Sequence, residues 1–134
     1  MSLPDNTAPP AAAVVYAKDL PAMLRFYGSL LGLPVVLREA DHAVLAKAGF
    51  ELVLLAMPAA IAAQVTVSTP PEVREKTPIK LCFGVPSLGA ARALAPALGG
   101  WLKPVAAEWH WRGKVGCDGV DPEGNVFQLR ENRA

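Results

Sequence analysis

The feature that most constrains the fold is an internal repeat with an offset of 68 residues. The segments VVYAKDLPAMLRFYGSLLGLPVV (14–36) and LCFGVPSLGAARALAPALGGWLKPV (81–105) align so that Asp19 falls on Ser87. Each segment has the pattern of a strand, a polar helix cap, a helix, a glycine stop and a second strand. We therefore expect two copies of one supersecondary unit.

The first helix is predicted by apolar residues at helical spacing, which would bury one face. Asp19 is its expected N-cap, Pro21 is tolerated in the first turn, and Gly32 supplies a left-handed stop. The apolar residues of this face are Leu20, Met23, Leu24, Tyr27, Leu30 and Leu31.

The second helix repeats this pattern more weakly. Ser87 is the expected cap, Gly99 and Gly100 end the helix, and Pro96 is expected to break or kink its last turn. The residues of its apolar face are Leu88, Ala91, Ala95 and Leu98.

Strands are predicted on both sides of each helix, with short hairpin turns at Ala40–Asp41 and Ala48–Gly49. The predicted strands are 12–17, 34–39, 42–47, 50–56, 79–85, 101–107, 109–117 and 125–131. These elements predict an α+β fold of two tandem βαβββ modules, which form a cupped mixed sheet with the helices packed outside.

The elements also divide the chain into segments. Residues 1–10 are rich in proline and are expected to form a flexible N-terminal arm, and residues 11–134 to form a single domain. Within it, module one covers 11–57, a connector 58–78, and module two 79–131, with QVTVS (64–68) a candidate extended piece of the connector.

Composition argues against several classes of partner. Thirteen basic and twelve acidic residues give a formal charge of +1, so we expect neither a nucleic acid nor an anionic membrane as partner. No apolar run reaches the ~20 residues that span a bilayer, and the N-terminus lacks the pattern of a signal peptide. Cys82 and Cys117 have no metal-like or redox-like spacing, which predicts two buried free thiols and a cytoplasmic protein.

Two motifs carry a resemblance to a known family. VVYAKDLPAMLRFYGSLLGLPV at the head of module one and DPEGNVFQLRE at the end of module two, with the repeat between them, resemble the vicinal oxygen chelate superfamily. That superfamily includes glyoxalase I, bleomycin-resistance proteins and extradiol dioxygenases. The resemblance implies a single glyoxalase-like domain in which each module is a U-shaped half and the two halves enclose a cleft.

The resemblance also implies four positions at which metal-dependent members place ligands, in the first and last strands of each module. Here they read Ala12, Glu51, Lys80 and Gln128. A divalent metal needs imidazole nitrogens or carboxylate oxygens, and a protonated lysine has no lone pair and repels the ion. We therefore expect no metal and no cofactor. Two alternatives remain for this pair. Either Glu51 and Lys80 face the same cleft and neutralise each other, or Glu51 is a rim carboxylate with no further role.

The stretch AEWHWRGK (107–114) is the most unusual in the chain. With strand periodicity, Glu108, His110 and Arg112 point to one side and Trp109 and Trp111 to the other. The two tryptophans either stack on a flat ligand or pack on the core. His110 with Glu108 and Arg112 forms either an acid–base set or a polar strand surface, because histidine titrates near neutrality.

These observations favour a metal-free protein of the bleomycin-resistance type. It would bind a small, partly apolar organic molecule in the cleft between the modules, and the resemblance implies a homodimer. Its candidate cleft residues are Glu51, Lys80, Glu108, Trp109, His110, Trp111, Arg112 and Gln128, and no catalytic residue is assigned. The alternatives are a metal-dependent lyase, isomerase or dioxygenase of the same superfamily, and a subunit that only forms protein contacts.

Overall fold

A computed structural model describes residues 8–132. The first seven positions of the predicted arm and residues 133–134 lie outside the described residues. The strands are β1 (Ala11–Ala17), β2 (Val35–Arg38), β3 (His42–Lys47), β4 (Phe50–Ala56), β5 (Leu81–Gly84), β6 (Trp101–Leu102), β7 (Trp109–Trp111), β8 (Lys114–Val120) and β9 (Val126–Asn132). The α-helices are α1 (Leu20–Leu31), α2 (Ala59–Ala62) and α3 (Leu88–Leu94), and 3₁₀ turns span Ala95–Leu98 and Val105–Ala107.

The strands form two mixed sheets that follow the internal repeat. The first sheet has the order β1-β4-β3-β2, and the second has the order β5-β9-β8-β6 with β7 also paired to β8. In each sheet the first strand runs parallel to the last strand of the same module, and the other pairings are antiparallel. The predicted α+β fold of two βαβββ modules is confirmed.

The caps of both helices follow the sequence pattern. The Asp19 side chain accepts a hydrogen bond from the N–H of Ala22, and the Ser87 hydroxyl accepts one from Ala90. Gly32 ends α1 in the left-handed region, with a φ of 64° that glycine adopts without strain. In the second module α3 ends at Leu94, and the chain continues as the 3₁₀ turn that contains Pro96, so the predicted break is confirmed.

Module two departs from the predicted strands in two places. The strand predicted at 109–117 is a hairpin, because Arg112 and Gly113 have φ values of 51° and 70° and form a two-residue turn between β7 and β8. The strand predicted at 101–107 ends at Leu102, and Pro104 leads into a 3₁₀ turn instead. Arginine is not typical of hairpin turns, so the alternation of polar residues and tryptophans was interpreted as one continuous strand.

The connector contains the short helix α2 and no extended strand at 64–68. Arg74 makes an isolated parallel bridge with Asn125, which attaches the end of the connector to the second module. No helix among residues 8–132 combines the length and the apolar character that a membrane crossing requires.

One hydrophobic core joins the two modules. Phe26 and Tyr27 on α1 pack against Phe127 on β9, with ring centroids 5.7 and 5.8 Å apart, and Phe83 lies 6.1 Å from both Tyr27 and Phe50. These contacts cross the module boundary. Every apolar residue predicted for the α1 face is buried.

The DPEGN turn fastens this junction with polar contacts. The buried Asp121 carboxylate accepts hydrogen bonds from the Tyr27 hydroxyl (2.7 Å) and from the N–H groups of Glu123 and Asn125. Glu123 in turn accepts from the backbone N–H groups of Lys18 and Asp19, both at 2.8 Å. The turn therefore holds the start of α1 against the second sheet.

Burial governs the titration of this network. It raises the pKa of Tyr27 well above its ordinary value, and the negative charge of Asp121 acts in the same direction. Burial also raises the pKa of Asp121, and the hydrogen bonds from Tyr27 and Asn125 oppose that rise.

Candidate functional site

The polar residues predicted for the cleft concentrate on one face of the second sheet. Because side chains alternate along a strand, directly paired residues share a face. Gln128 pairs with Cys82 on one side and Asp118 on the other, and Arg130 pairs with Gly84 and Gly116. Lys80 joins this face through its contact with Asp118, and Arg112 through its contact with Trp111. We call the set the basic face, and it consists of Lys80, Cys82, Trp109, Trp111, Arg112, Lys114, Asp118, Gln128 and Arg130.

Gln128 lies at the centre of a hydrogen-bond network on the basic face. Its Oε1 accepts from Nε of Arg130 at 2.9 Å and from the Cys82 thiol at 3.4 Å. Its Nε2 lies 3.5 Å from Oδ1 of Asp118. The side-chain amide thus has a guanidinium and a thiol on its oxygen side and a carboxylate on its nitrogen side, which fix its orientation.

Arg130 is the most constrained cation of this face. Its guanidinium carbon lies 4.9 Å from the ring centroid of Trp111 and 5.9 Å from that of Trp109. The Arg112 guanidinium carbon lies 5.1 Å from the same Trp111 ring. Guanidinium groups at such distances are attracted to the negative faces of indole rings.

Trp109 is fixed by the absence of a side chain opposite it. It pairs with Gly116, and its indole lies across the Gly116 backbone, so that an added Cβ would come within 2.1 Å of the ring. Trp111 pairs with Lys114 and remains 47% exposed. One predicted tryptophan is therefore packed and the other offers an open aromatic surface.

Lys80 lies on the basic face but does not pair with Glu51. Its Nζ lies 2.7 Å from Oδ2 of Asp118, and the ion pairs among residues 8–132 include none between Lys80 and Glu51. Asp118 is the nearer acid because β8 places it beside Gln128, next to the first strand of the same module. The predicted Glu51–Lys80 pair is replaced by one within the second module.

The predicted grouping of Glu108, His110 and Arg112 is wrong. The Glu108 carboxylate forms an ion pair with Arg92 of α3 at 2.5 Å, and Nε of Arg92 also donates to the carbonyl of Lys103. His110 is exposed on β7, and Arg112 occupies the hairpin turn. Glu108 therefore fastens the start of β7 to α3, and its side chain is only 9% exposed.

The strand pairings also correct the metal-ligand positions. Val14 and Cys82 correspond in the repeat, and Cys82 pairs with Gln128 whereas Val14 pairs with Val53. Val53, not Glu51, is therefore the counterpart of Gln128 in the first module. Neither the positions read from the sequence nor those with Val53 in place of Glu51 supply the imidazole and carboxylate donors that a divalent transition metal needs.

No group of three or more His, Cys, Asp or Glu side chains with metal-binding geometry occurs within residues 8–132. The donors that are present on the basic face are occupied: Asp118 pairs with a lysine, and the Cys82 thiol donates to Gln128. Partial burial raises the pKa of the Cys82 thiol, which disfavours the thiolate that metals bind. The residues of this cleft do not fit a metal centre.

The two cysteines differ from each other in exposure. Cys117 is buried, as predicted, whereas Cys82 is exposed on β5, contrary to the prediction. Side chains alternate along a strand, and because Phe83 points into the core, the neighbouring Cys82 points to the opposite face of β5.

The first sheet exposes an apolar surface on β1. Val14 and Tyr16 of β1 are 55% and 56% exposed. A cavity of about 320 Å³ lies between β1 and the edge of the second sheet, with Tyr27, Ile79 and Val126 also in its lining. A second cavity, of about 460 Å³, adjoins the Lys80–Asp118 pair. Ile79 and Val126 line both cavities, so the apolar cavity at β1 adjoins the one at the Lys80–Asp118 pair.

A larger recess of about 880 Å³ lies between the connector and the start of α1. Several of its polar residues have structural partners, because Glu123 caps the backbone of Lys18 and Asp19, and the Lys18 ammonium donates to the carbonyl of Val65. Convergent groups with donors still available occur on the basic face, which we therefore regard as the candidate site.

Sequence reasoning missed Arg130 and Asp118 as members of this site. A signal for Arg130 was present, because strand periodicity places residue 130 on the same face as Gln128. Asp118 gave no local signal, since its place beside Gln128 depends on the register of β8 against β9.

The sequence and the fold were compared with known proteins. The model of the glyoxalase-like domain matches residues 12–130. No curated protein matches the sequence. A glyoxalase-related enzyme from Fulvimarina pelagi superimposes with a TM-score of 0.65 at 20% identity, covering 91% of this chain and 86% of its own.

Two further solved structures have the same fold. A glyoxalase/bleomycin resistance protein/dioxygenase family enzyme from Burkholderia phytofirmans has a TM-score of 0.64 at 19% identity, covering 90% of this chain and 95% of its own. The fosfomycin resistance protein FosX from Listeria monocytogenes, solved with Mn(II) and a dihydroxypropylphosphonic acid, has a TM-score of 0.60 at 14% identity, covering 97% and 92%. The family match extends over nearly the whole chain, and this protein belongs to the glyoxalase-like domain family.

Proposed function

We propose that this protein binds a small, partly apolar organic molecule in its cleft without a metal ion. The observation that carries the proposal is the hydrogen-bond network around Gln128, the residue at which metal-dependent relatives are expected to place a ligand. Here an amide lies between Arg130 and Asp118. This arrangement supplies hydrogen bonds to an organic molecule and no open coordination position.

The composition of the cleft supports an organic ligand. Small-molecule sites combine apolar and aromatic walls with a few fixed polar groups. Val14 and Tyr16 supply the apolar wall, and Trp111 supplies an exposed ring on the basic face. Gln128 and Arg130 would fix the orientation of the ligand through donors that are already aligned.

A thermal-shift screen of a small-molecule library tests this proposal. Compounds that bind should raise the Tm of the wild type and should shift Trp111→Ala much less, because the exposed indole forms part of the site. Val105→Ala is the matched control, since Val105 is exposed on the 3₁₀ turn outside the cleft. The proposal is wrong if every binding compound shifts the two variants equally, or if no compound shifts the wild type.

Metal analysis of protein purified without chelator separates this proposal from the enzyme alternative. The metal-free cleft predicts substoichiometric Mn, Fe, Ni and Zn. Stoichiometric metal would favour a lyase, isomerase or dioxygenase.

We also propose that the chain forms a homodimer in the cytoplasm, with no nucleic acid or membrane partner. The exposed apolar residues Val35, Val36 and Leu37 of β2 support self-association through the first sheet, and the two free cysteines accord with a reducing compartment. Sedimentation equilibrium tests the dimer, and a monomer across the micromolar range would exclude it. Cell fractionation tests the location.

A further inference from the structure

We propose that the ligand of this cleft is a planar organic acid whose carboxylate pairs with Arg130 while its ring stacks on Trp111. This inference rests on the proposed small-molecule function and adds the chemical class of the ligand. It depends on three properties of the basic face: its unbalanced charge, the orientation of one guanidinium, and the open indole beside it.

The basic face carries positive charge without matching acids. Its one carboxylate, Asp118, is already paired with Lys80. Arg112, Lys114 and Arg130 form no ion pair with any acid among residues 8–132. A ligand that enters this face therefore meets three cations, which favour an anion and disfavour an ammonium group.

Arg130 is oriented before any ligand arrives. Its Nε donates to Gln128, and its guanidinium carbon lies 4.9 and 5.9 Å from the centroids of the Trp111 and Trp109 rings, which restrict its position. A guanidinium has five N–H donors, and no further hydrogen bond from it occurs within the described part of the chain. Its terminal amino groups can therefore form the two parallel hydrogen bonds that match a carboxylate, and little side-chain entropy remains to be lost.

Trp111 adds the requirement for a flat molecule. Its indole is about half exposed, and both Arg112 and Arg130 lie about 5 Å from its centroid. An acid held by either guanidinium would bring its adjoining ring against this indole. Offset stacking between such rings adds to the apolar contact itself.

The pairing of a cation with an exposed ring limits the alternatives. A purely ionic ligand such as inorganic phosphate would leave the exposed ring of Trp111 without contact. A neutral aromatic molecule would desolvate the Arg130 guanidinium without replacing its hydrogen bonds to water, which lowers affinity. The planar acid satisfies both the guanidinium and the ring.

Three probes of matched size separate charge from shape: naphthoate, its neutral amide naphthamide, and the non-planar acid decahydronaphthalene-2-carboxylate. Titration calorimetry on the full-length protein at low salt should rank naphthoate first, about tenfold or more above each of the others, because a paired charge-assisted hydrogen bond contributes at least that factor. Added salt should weaken the binding of naphthoate and leave that of naphthamide unchanged.

Arg130→Met should lower the affinity for naphthoate about 10- to 100-fold, to the level of naphthamide, and should change that of naphthamide by less than about twofold. Arg38→Met is the matched control, because it removes the same group from β2, outside the basic face, and should affect neither probe. Should Arg130→Met fold poorly, Arg112→Met replaces an exposed turn residue and should reduce the salt dependence of naphthoate binding.

Equal affinity of the wild type for naphthoate and naphthamide would overturn this inference and leave the proposed small-molecule function intact. Equal losses in Arg130→Met and Arg38→Met would also overturn it. If no probe binds, the acid class is excluded, and the library screen decides the proposed function separately.

Discussion

The packing of Trp109 on Gly116 gives the sharpest test of how the basic face is built. In Gly116→Ala the new Cβ would lie 2.1, 2.3 and 2.6 Å from three atoms of the indole. Carbon atoms in contact are normally about 3.5–4.0 Å apart, so the ring must move by about 1.5 Å or the strands must separate. Overpacking of this kind costs about 1–3 kcal/mol.

The matched control is Gly84→Ala on β5. Gly84 pairs with Arg130 in the same sheet as Gly116 does, but an added Cβ there meets no atom within 4 Å. Neither glycine has a positive φ, so the two substitutions differ in contact and not in backbone strain. The comparison therefore isolates the space occupied by the Trp109 ring.

Thermal unfolding and tryptophan fluorescence measure the outcome. At about 4 °C per kcal/mol for a domain of this size, Gly116→Ala should lower the Tm by about 4–12 °C. It should also shift the emission spectrum, since Trp109 moves relative to Arg130. Gly84→Ala should change both by little. A Tm of Gly116→Ala within about 1 °C of the wild type, with unchanged emission, would refute the packing argument.

Four further outcomes follow from the contacts at the module junction and beside β7. Tyr27→Phe removes one donor to the buried Asp121 carboxylate and should lower the free energy of unfolding in urea by about 1.5–3 kcal/mol; a loss below about 0.5 kcal/mol would contradict the role of this bond. Burial raises the pKa of Asp121 in the folded protein, so the folded protein binds this proton more tightly than the unfolded protein does. The resulting stabilisation is present below the pKa of the unfolded state and is lost as pH rises through the pKa of the folded state. The stability of wild type minus that of Asp121→Asn should therefore be larger at about pH 4 than at about pH 7, and the reverse order would show that the shift has the opposite sign. Glu108→Gln weakens the ion pair with Arg92 and should cost about 1–3 kcal/mol in urea unfolding, whereas the exposed His110→Gln should cost less than about 0.5 kcal/mol; equal effects would indicate that Glu108 does not anchor β7.

Local patterns predicted the elements of this fold because each has its own chemical marker. The Asp19 cap, the Gly32 stop and the helical spacing of the α1 face act over a few residues, and all three are observed. The glycine of the Ala48–Gly49 turn likewise marks a hairpin, and both residues have the positive φ that such a turn requires. The repeat then predicted two copies of one βαβββ module, and the two sheets follow it.

Contacts between distant strands could not be predicted in the same way. The partner of Lys80 depends on which acid the sheet register places beside it, and Asp118 lies 38 residues away. The partner of Glu108 depends on the packing of α3 over β7, because Arg92 belongs to the helix. The hairpin at Arg112–Gly113 was missed because arginine rarely occupies a left-handed turn position.

The central claim is that the cleft binds an organic molecule without a metal. The most direct test is calorimetric titration of the strongest compound from the screen into protein treated with EDTA, and into the same protein resupplied with Mn(II), Ni(II) or Zn(II). We predict affinities that agree within about twofold in all four samples. Binding that appears only after a metal is returned would contradict the claim.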